Sequence, residues 1–177
     1  MINRSLAAKN APIVPLIAET GGINAMIVDA TALPEQVTDD VLASAFRSAG
    51  QRCSALRLLC LQDDVADQII AMIAGAVKEL CIGDPRNIAT HIGPVIDAEA
   101  RNNLQAWCEY TATKFRLIYK GSAPQKGTFF PPHIIELENT CNLTREVFGP
   151  VLHIIRWKAG TVENSGISGL ATLLNDL

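Results

Sequence analysis

The chain has 177 residues, 49% of them apolar and 19% charged, with a net charge of −3 at pH 7. That composition reads as a globular rather than a disordered chain, long enough to bury a core, and offers no basic footprint for nucleic acid or an anionic membrane surface. No apolar run approaches the roughly 20 residues that span a bilayer, and the N-terminus has no continuous apolar stretch of the secretory kind.

In chain order, Asn24 to Asp29 (NAMIVD) is a short apolar run that predicts a buried strand. Pro34 opens a helical stretch to about Ala49, with Val37, Val41, Leu42, Ala45 and Phe46 at helical spacing, and Gly50 stops it. Leu56 to Leu61 predicts a second buried strand. The clearest helix runs from Asp63 to Leu80, where Ala66, Ile69, Ile70, Ile73, Val77 and Leu80 share one stripe and Asp63, Asp64 and Asp67 crowd the first turn. Gly83-Asp84-Pro85 and Gly93-Pro94 break the pattern before a helix from Asp97 to about Phe115. Arg116 to Lys120, Phe129 to Leu137 and Val151 to Trp157 read as strands, the middle one carrying Pro131-Pro132 and so expected at an edge or kinked. Strands alternating with helices of this length imply an α/β domain with some parallel sheet.

The five cysteines are an odd number at uneven spacing, which fits a reducing cytoplasm rather than a disulfide framework. No metal-ligand spacing is visible among Cys53, Cys60, Cys81, Cys108, Cys141 and the three histidines. Cys60 falls in an apolar strand, Cys81 at a helix end and Cys108 beside Trp107, so all three are expected buried, while Cys141 lies in a polar loop. His133, His153 and Trp107 read as structural, and Asp97, Glu99 and Arg101 as a helix start with local charge pairing.

Cys53 is different. It follows a helix and a glycine turn in Phe46-Arg47-Ser48-Ala49-Gly50-Gln51-Arg52-Cys53-Ser54, with the Arg52 cation next to it to favour the nucleophilic thiolate. Upstream, Ala18-Glu19-Thr20-Gly21-Gly22 sets a carboxylate before two glycines, a possible general base if desolvated and a solvated turn otherwise. These segments, 34 positions apart between Glu19 and Cys53, resemble the E-x-G-G and G-Q-x-C motifs of the aldehyde dehydrogenase superfamily. Arg145-Glu146-Val147-Phe148-Gly149-Pro150-Val151 resembles its E-x-F-G-P-V motif. The stretches INRSLAAKNAPIVPLIAETGG, SAFRSAGQRCSALR, GPVIDAEAR, GTFFPPHI and REVFGPVLHIIRWK are most similar to one branch, the 1-pyrroline-5-carboxylate (glutamate semialdehyde) dehydrogenase module of the bifunctional proline utilisation A proteins. Ile23 departs from that branch, which usually has a polar residue after the two glycines.

The resemblance implies an aldehyde dehydrogenase-type catalytic domain over 1–158, with a mixed, mostly parallel sheet flanked by helices; beyond it, Gly160, Gly166, Gly169 and polar residues predict a weakly structured tail over 159–177, a loop before a last short helix. It implies Cys53 as nucleophile, Glu19 as base for the hydrolytic water, and Glu146, Phe148 and Gly21 as contacts of NAD. Ser54 is then placed to hydrogen-bond the substrate carboxylate, with a hydroxyl satisfied by local backbone as the alternative. Most of the N-terminal dinucleotide-binding domain of that family, and its glycine-rich substrate-anchoring loop, match nothing in these residues. The expectation is therefore a piece of a cytoplasmic enzyme for a small aldehyde, inactive alone and self-associating through apolar surface left bare. The alternative is a truncated, non-catalytic product acting as an interaction or dimerisation domain.

Overall fold

The computed structural model describes residues 2–19 and 21–159. The tail expected over 159–177 therefore lies, from residue 160 on, outside the described residues. A short helix α1 (Ile2–Ala7) buries nothing, and residues 8–19 and 21–24 have no regular structure before strand β1 (Ala25–Val28). Helix α2 (Pro34–Val41) leads through two tight turns to β2 (Leu58–Gln62), helix α3 (Asp63–Lys78) and helix α4 (Ala98–Ala112). Strands β3 (Arg116–Lys120), β4 (His133–Glu136) and β5 (Val151–Trp157) complete the described chain.

The strands form one sheet in the order β1-β2-β5-β4-β3. The first four in that order run parallel, and β3 pairs antiparallel with β4. This is the mixed, mostly parallel α/β sheet expected from the sequence. Strands β2 and β5 sit at its centre and are buried almost throughout, as apolar runs flanked on both sides must be. Of the predicted stripe, Ala66, Ile69, Ile70, Ile73 and Val77 are buried with them, while Leu80 lies past the end of α3 and is half-buried. Arg156 of β5 clasps the first turn of α3 through Asp63 and Asp67, and Glu136 of β4 as well. Asp97 caps α4 by accepting the Ala100 N–H at 2.7 Å.

Two expectations need correction. The helix predicted from Pro34 to Ala49 is α-helical only to Val41. It widens into a π turn over Leu42–Phe46 and then closes in a tight turn over Arg47–Gly50. In that turn Ser48 (φ 56°), Ala49 (φ 52°) and Gly50 (φ 64°) are all left-handed, a conformation spacing of apolar residues cannot reveal. The strand predicted over 129–137 shrinks to His133–Glu136 and is interior, whereas β3 forms the edge. Pro131 and Pro132 fall before the ladder, where their missing N–H groups cost nothing; Pro132 contributes its carbonyl to the Gly121 N–H at 2.9 Å.

Candidate active site

The sheet order explains why three distant segments meet. Residues 21–24 lead into β1, 50–57 into β2 and 145–150 into β5, and these strands are parallel neighbours. All three segments therefore arrive at the same, N-terminal, end of the sheet. Parallel α/β sheets more often use the opposite end for ligands.

Glycine permits the contact between the second and third segments. A Cβ on Gly50 would stand 2.2 Å from the Gly149 carbonyl oxygen and 2.8 Å from that of Ala45, apart from the strain at its positive φ. Gly21 meets the third segment likewise: a Cβ there would lie 2.9 Å from Glu146 Oε2. The Gly22 N–H points at the same oxygen across a long 3.4 Å.

The cysteine segment is held from several sides. Asn24 donates its side-chain amide to the carbonyls of Cys53 (2.6 Å) and Ala55 (3.0 Å), and its own carbonyl accepts from Arg57 and Leu58 N–H. Gln51 donates to the Pro94 carbonyl (3.4 Å) and accepts from the Ile96 N–H (2.8 Å), tying the segment to the loop before α4. Cys53 is exposed, and its backbone N–H has no acceptor among the described residues. The Arg52 guanidinium donates to the carbonyls of Ala43 (2.8 Å) and Ser44 (2.9 Å), which braces the π turn.

Sequence reasoning missed Arg57. It is fully buried, and donates to the carbonyls of Gly149 and Arg52, each at 3.2 Å, and to Glu146 Oε1 at 3.4 Å. Its guanidinium lies 4.9 Å from the centroid of the Phe148 ring. Burial draws Arg57 below the ordinary arginine range and Glu146 draws it back up; a guanidinium stays charged through such shifts. The only sequence signal was an arginine at the mouth of an otherwise apolar strand, a position where an unpaired charge is intolerable.

Below Arg57 lies His153, fully buried on β5. Trp107 can only donate, so His153 Nε2 must accept its 2.9 Å hydrogen bond, which leaves the ring proton on Nδ1 facing the Arg57 carbonyl at 3.0 Å. Burial pushes this imidazole down to about 4, with the Arg57 cation adding to the fall. His133 also stays inside the fold, stacked on Phe130 with Nδ1 2.8 Å from the Pro131 carbonyl.

The structure brings together Gly21, Glu146, Phe148 and the Cys53 segment. It does not join Glu19 or Ser54 to them. Glu19 sits on an exposed extended stretch, Ser54 is exposed beside Cys53, and neither side chain has a hydrogen bond among the described residues. Cys60 and Cys108 are buried as expected, with burial pushing each thiol up to about 12, but Cys81 is exposed at the end of α3 rather than packed.

A model of the aldehyde dehydrogenase family matches residues 2–165. The bifunctional protein PutA of Salmonella typhimurium is 50% identical over 181 residues, which covers 96% of this chain and 14% of that protein. The 1-pyrroline-5-carboxylate dehydrogenase of Geobacillus kaustophilus is 36% identical over 140 residues, covering 77% of this chain and 27% of the other. A crystal structure of bifunctional proline utilization A superposes with a TM-score of 0.88 at 60% identity, over 99% of this chain and 17% of that one. A 1-pyrroline-5-carboxylate dehydrogenase from Thermus with bound NAD gives 0.72 at 30% identity over 78% and 27%. The chain thus spans between 12% and 14% of the length of the four PutA relatives.

Proposed function

Because the chain belongs to the aldehyde dehydrogenase family, we propose that it carries the nucleophile and the nicotinamide-facing arm of an enzyme that oxidises L-glutamate γ-semialdehyde. The observation that carries this reading is the clasp of the Cys53 segment, Gly21-Gly22 and Glu146-Phe148 at one end of three neighbouring strands. The semialdehyde is the open form of 1-pyrroline-5-carboxylate, and the product is glutamate. The relatives named for that substrate support the assignment.

The Cys53 thiolate adds to the aldehyde carbon, and the carbonyl electrons move to oxygen. That oxyanion takes the free Cys53 N–H as a donor. NAD, when bound, supplies the hydride acceptor, and Glu146 and Phe148 are the residues that fit its nicotinamide riboside end: a carboxylate for hydroxyls and an aromatic residue that is 45% exposed. Loss of hydride leaves a thioester on Cys53. Glu19 takes a proton from water as the water attacks that carbonyl, and the thiolate leaves. In sum, aldehyde, NAD⁺ and water give the acid, NADH and a proton. Ser54, next to the nucleophile, is positioned in sequence to meet the substrate carboxylate. The unpaired state of all five cysteines fits a reducing cytoplasm.

The test is protection. Glutamate semialdehyde should slow iodoacetamide labelling of Cys53 and leave Cys141 unaffected; equal protection of both rejects the reading. The 177-residue chain alone should form no measurable NADH at saturating NAD. Among the described residues no glycine-rich loop stands ready for the pyrophosphate, so the cofactor would be gripped at one end. Turnover near that of an intact relative refutes this. The exposed Ile13, Val14 and Ile17 of the N-terminal stretch favour self-association of the isolated chain, and a clean monomer in light scattering across a wide concentration range counts against it.

A further inference from the structure

A fully buried arginine with one long ionic contact is costly. Desolvation disfavours such a cation, and an apolar side chain of equal volume would fill the same space without that cost. Arg57 also leaves its Nε–H unpartnered. What the guanidinium gains is a set of acceptors drawn from two different strand entrances. One is the carbonyl of Arg52 at 3.2 Å. That carbonyl belongs to the same planar peptide unit as the Cys53 N–H, so fixing the oxygen fixes the direction of the N–H on the opposite side. The same Nη2 also contacts Glu146 Oε1 at 3.4 Å, and Nη1 holds the Gly149 carbonyl at 3.2 Å. The backbone of Arg57 is itself anchored, its N–H to the Asn24 carbonyl and its carbonyl under the His153 backbone and ring N–H groups.

We propose that Arg57 is a positioning residue for the thiol chemistry: it orients the Arg52–Cys53 peptide so that the Cys53 N–H faces the developing oxyanion, and it ties that donor to the Glu146–Phe148 arm. A cationic donor on the carbonyl also polarises the peptide and strengthens its N–H as a donor. The proposal rests on Cys53 being the nucleophile. It adds that the nucleophile segment and the cofactor-facing arm share one clamp, so that disturbing Glu146 reaches the Cys53 peptide without touching the sulfur. Lysine cannot replace the clamp in full, because a point charge lacks the planar fork that reaches two carbonyls and a carboxylate together.

The test compares two reactions at Cys53 in the chain itself, with Cys141 as internal reference and mass spectrometry as readout. Acetylation by p-nitrophenyl acetate passes through an oxyanion and needs the oriented N–H; alkylation by iodoacetamide needs only an accessible thiolate. In Arg57→Met the relative acetylation rate should fall about tenfold or more, while relative alkylation is little changed. Arg57→Lys should recover part of the loss. Glu146→Gln, which keeps Arg57, should show a smaller fall of the same kind and carries the test if Arg57→Met does not fold by circular dichroism. If acetylation and alkylation drop together in every variant, Arg57 is a packing residue and the proposal is overturned. If the wild-type chain acetylates Cys53 quickly and the variants match it, the clamp is overturned and the nucleophile reading stands. If wild-type Cys53 acetylates no faster than Cys141, the nucleophile reading falls, and the clamp with it.

Discussion

Two stretches that the proposed reaction needs together are built in opposite ways. From Gly50 to Arg57 the chain is fixed by Asn24, Gln51, Arg57 and a glycine contact that admits no Cβ. Over residues 9–19, and again at Gly21 and Gly22, it is exposed, without regular structure, and presents Ile13, Val14 and Ile17 to solvent. Cys53 belongs to the first and Glu19 to the second. For the proposed reaction, the difference puts the addition half on the braced stretch and the proposed base of the hydrolytic half on the exposed one. A rigid stretch and an unsupported one should also respond differently to perturbation.

The largest contrast is among the thiols. Cys53, Cys81 and Cys141 are exposed, while burial pushes Cys60 and Cys108 up to about 12. Since reactivity follows the thiolate, iodoacetamide at pH 7 should label the exposed three more than about a thousandfold faster than the buried two. Mapping the sites by mass spectrometry at several times checks it, and early labelling of Cys60 or Cys108 would show that the sheet opens.

Next is Gly50→Ala. The added methyl meets the Gly149 carbonyl at 2.2 Å and forces a third non-glycine residue into a left-handed turn that already strains Ser48 and Ala49. The loss should be on the order of 4 kcal/mol, at the severe end for one substitution. The urea midpoint measures it. Gly22→Ala, with nothing within 4 Å of its Cβ position, should cost far less. Similar midpoints for the two would erase the distinction between the stretches.

Elements were legible in the sequence where one face is apolar, and the clasp was not. Helix α3 and strands β2 and β5 follow from stripes and runs of Ile, Val and Leu, because burial alone decides them. The motif residues Cys53, Glu146 and Phe148 were visible as a resemblance, but their meeting depends on β5 inserting next to β2, a long-range pairing that no local pattern encodes. The left-handed turn at Ser48-Ala49 was hidden because only Gly50 advertises it. Arg52 and Arg57 look alike in sequence; only their acceptors distinguish a brace of the π turn from the clamp of the site.

His153 tests the rigid half by pH. Its imidazole is pushed down to about 4 from the ordinary 6.5, so the unfolded chain binds the proton first as pH falls. Stability from this group is whole above about 6.5 and is lost progressively down to about 4. The total is roughly 3 kcal/mol by linkage. Urea midpoints from pH 7.5 to 4.5 should show the slope. His153→Gln can still accept from Trp107 and donate to the Arg57 carbonyl, so it should flatten that part of the slope; an unchanged slope places its source elsewhere.

The smallest effect is expected at Glu19, and its smallness is informative. A residue built into a site loses partners when altered, and the fold registers the loss. Glu19 has no hydrogen bond among the described residues, lies on an exposed stretch, and is followed by glycines that pack on Glu146 through backbone rather than through its side chain. Glu19→Gln should therefore leave the urea midpoint within about 0.5 kcal/mol of the wild type. Acetylation of Cys53 should be unaffected as well, because that step needs the thiolate and its N–H but no base. Only deacetylation, where water attacks the thioester, has a use for the carboxylate. Following loss of the acetyl group by mass spectrometry after excess ester is removed separates the cases. If Glu19→Gln deacetylates at the wild-type rate, Glu19 is not placed to act in the isolated chain, as its exposed setting leads one to expect. A clear slowing would mean that the N-terminal stretch already folds over Cys53 in solution, and the contrast between the two stretches would fall.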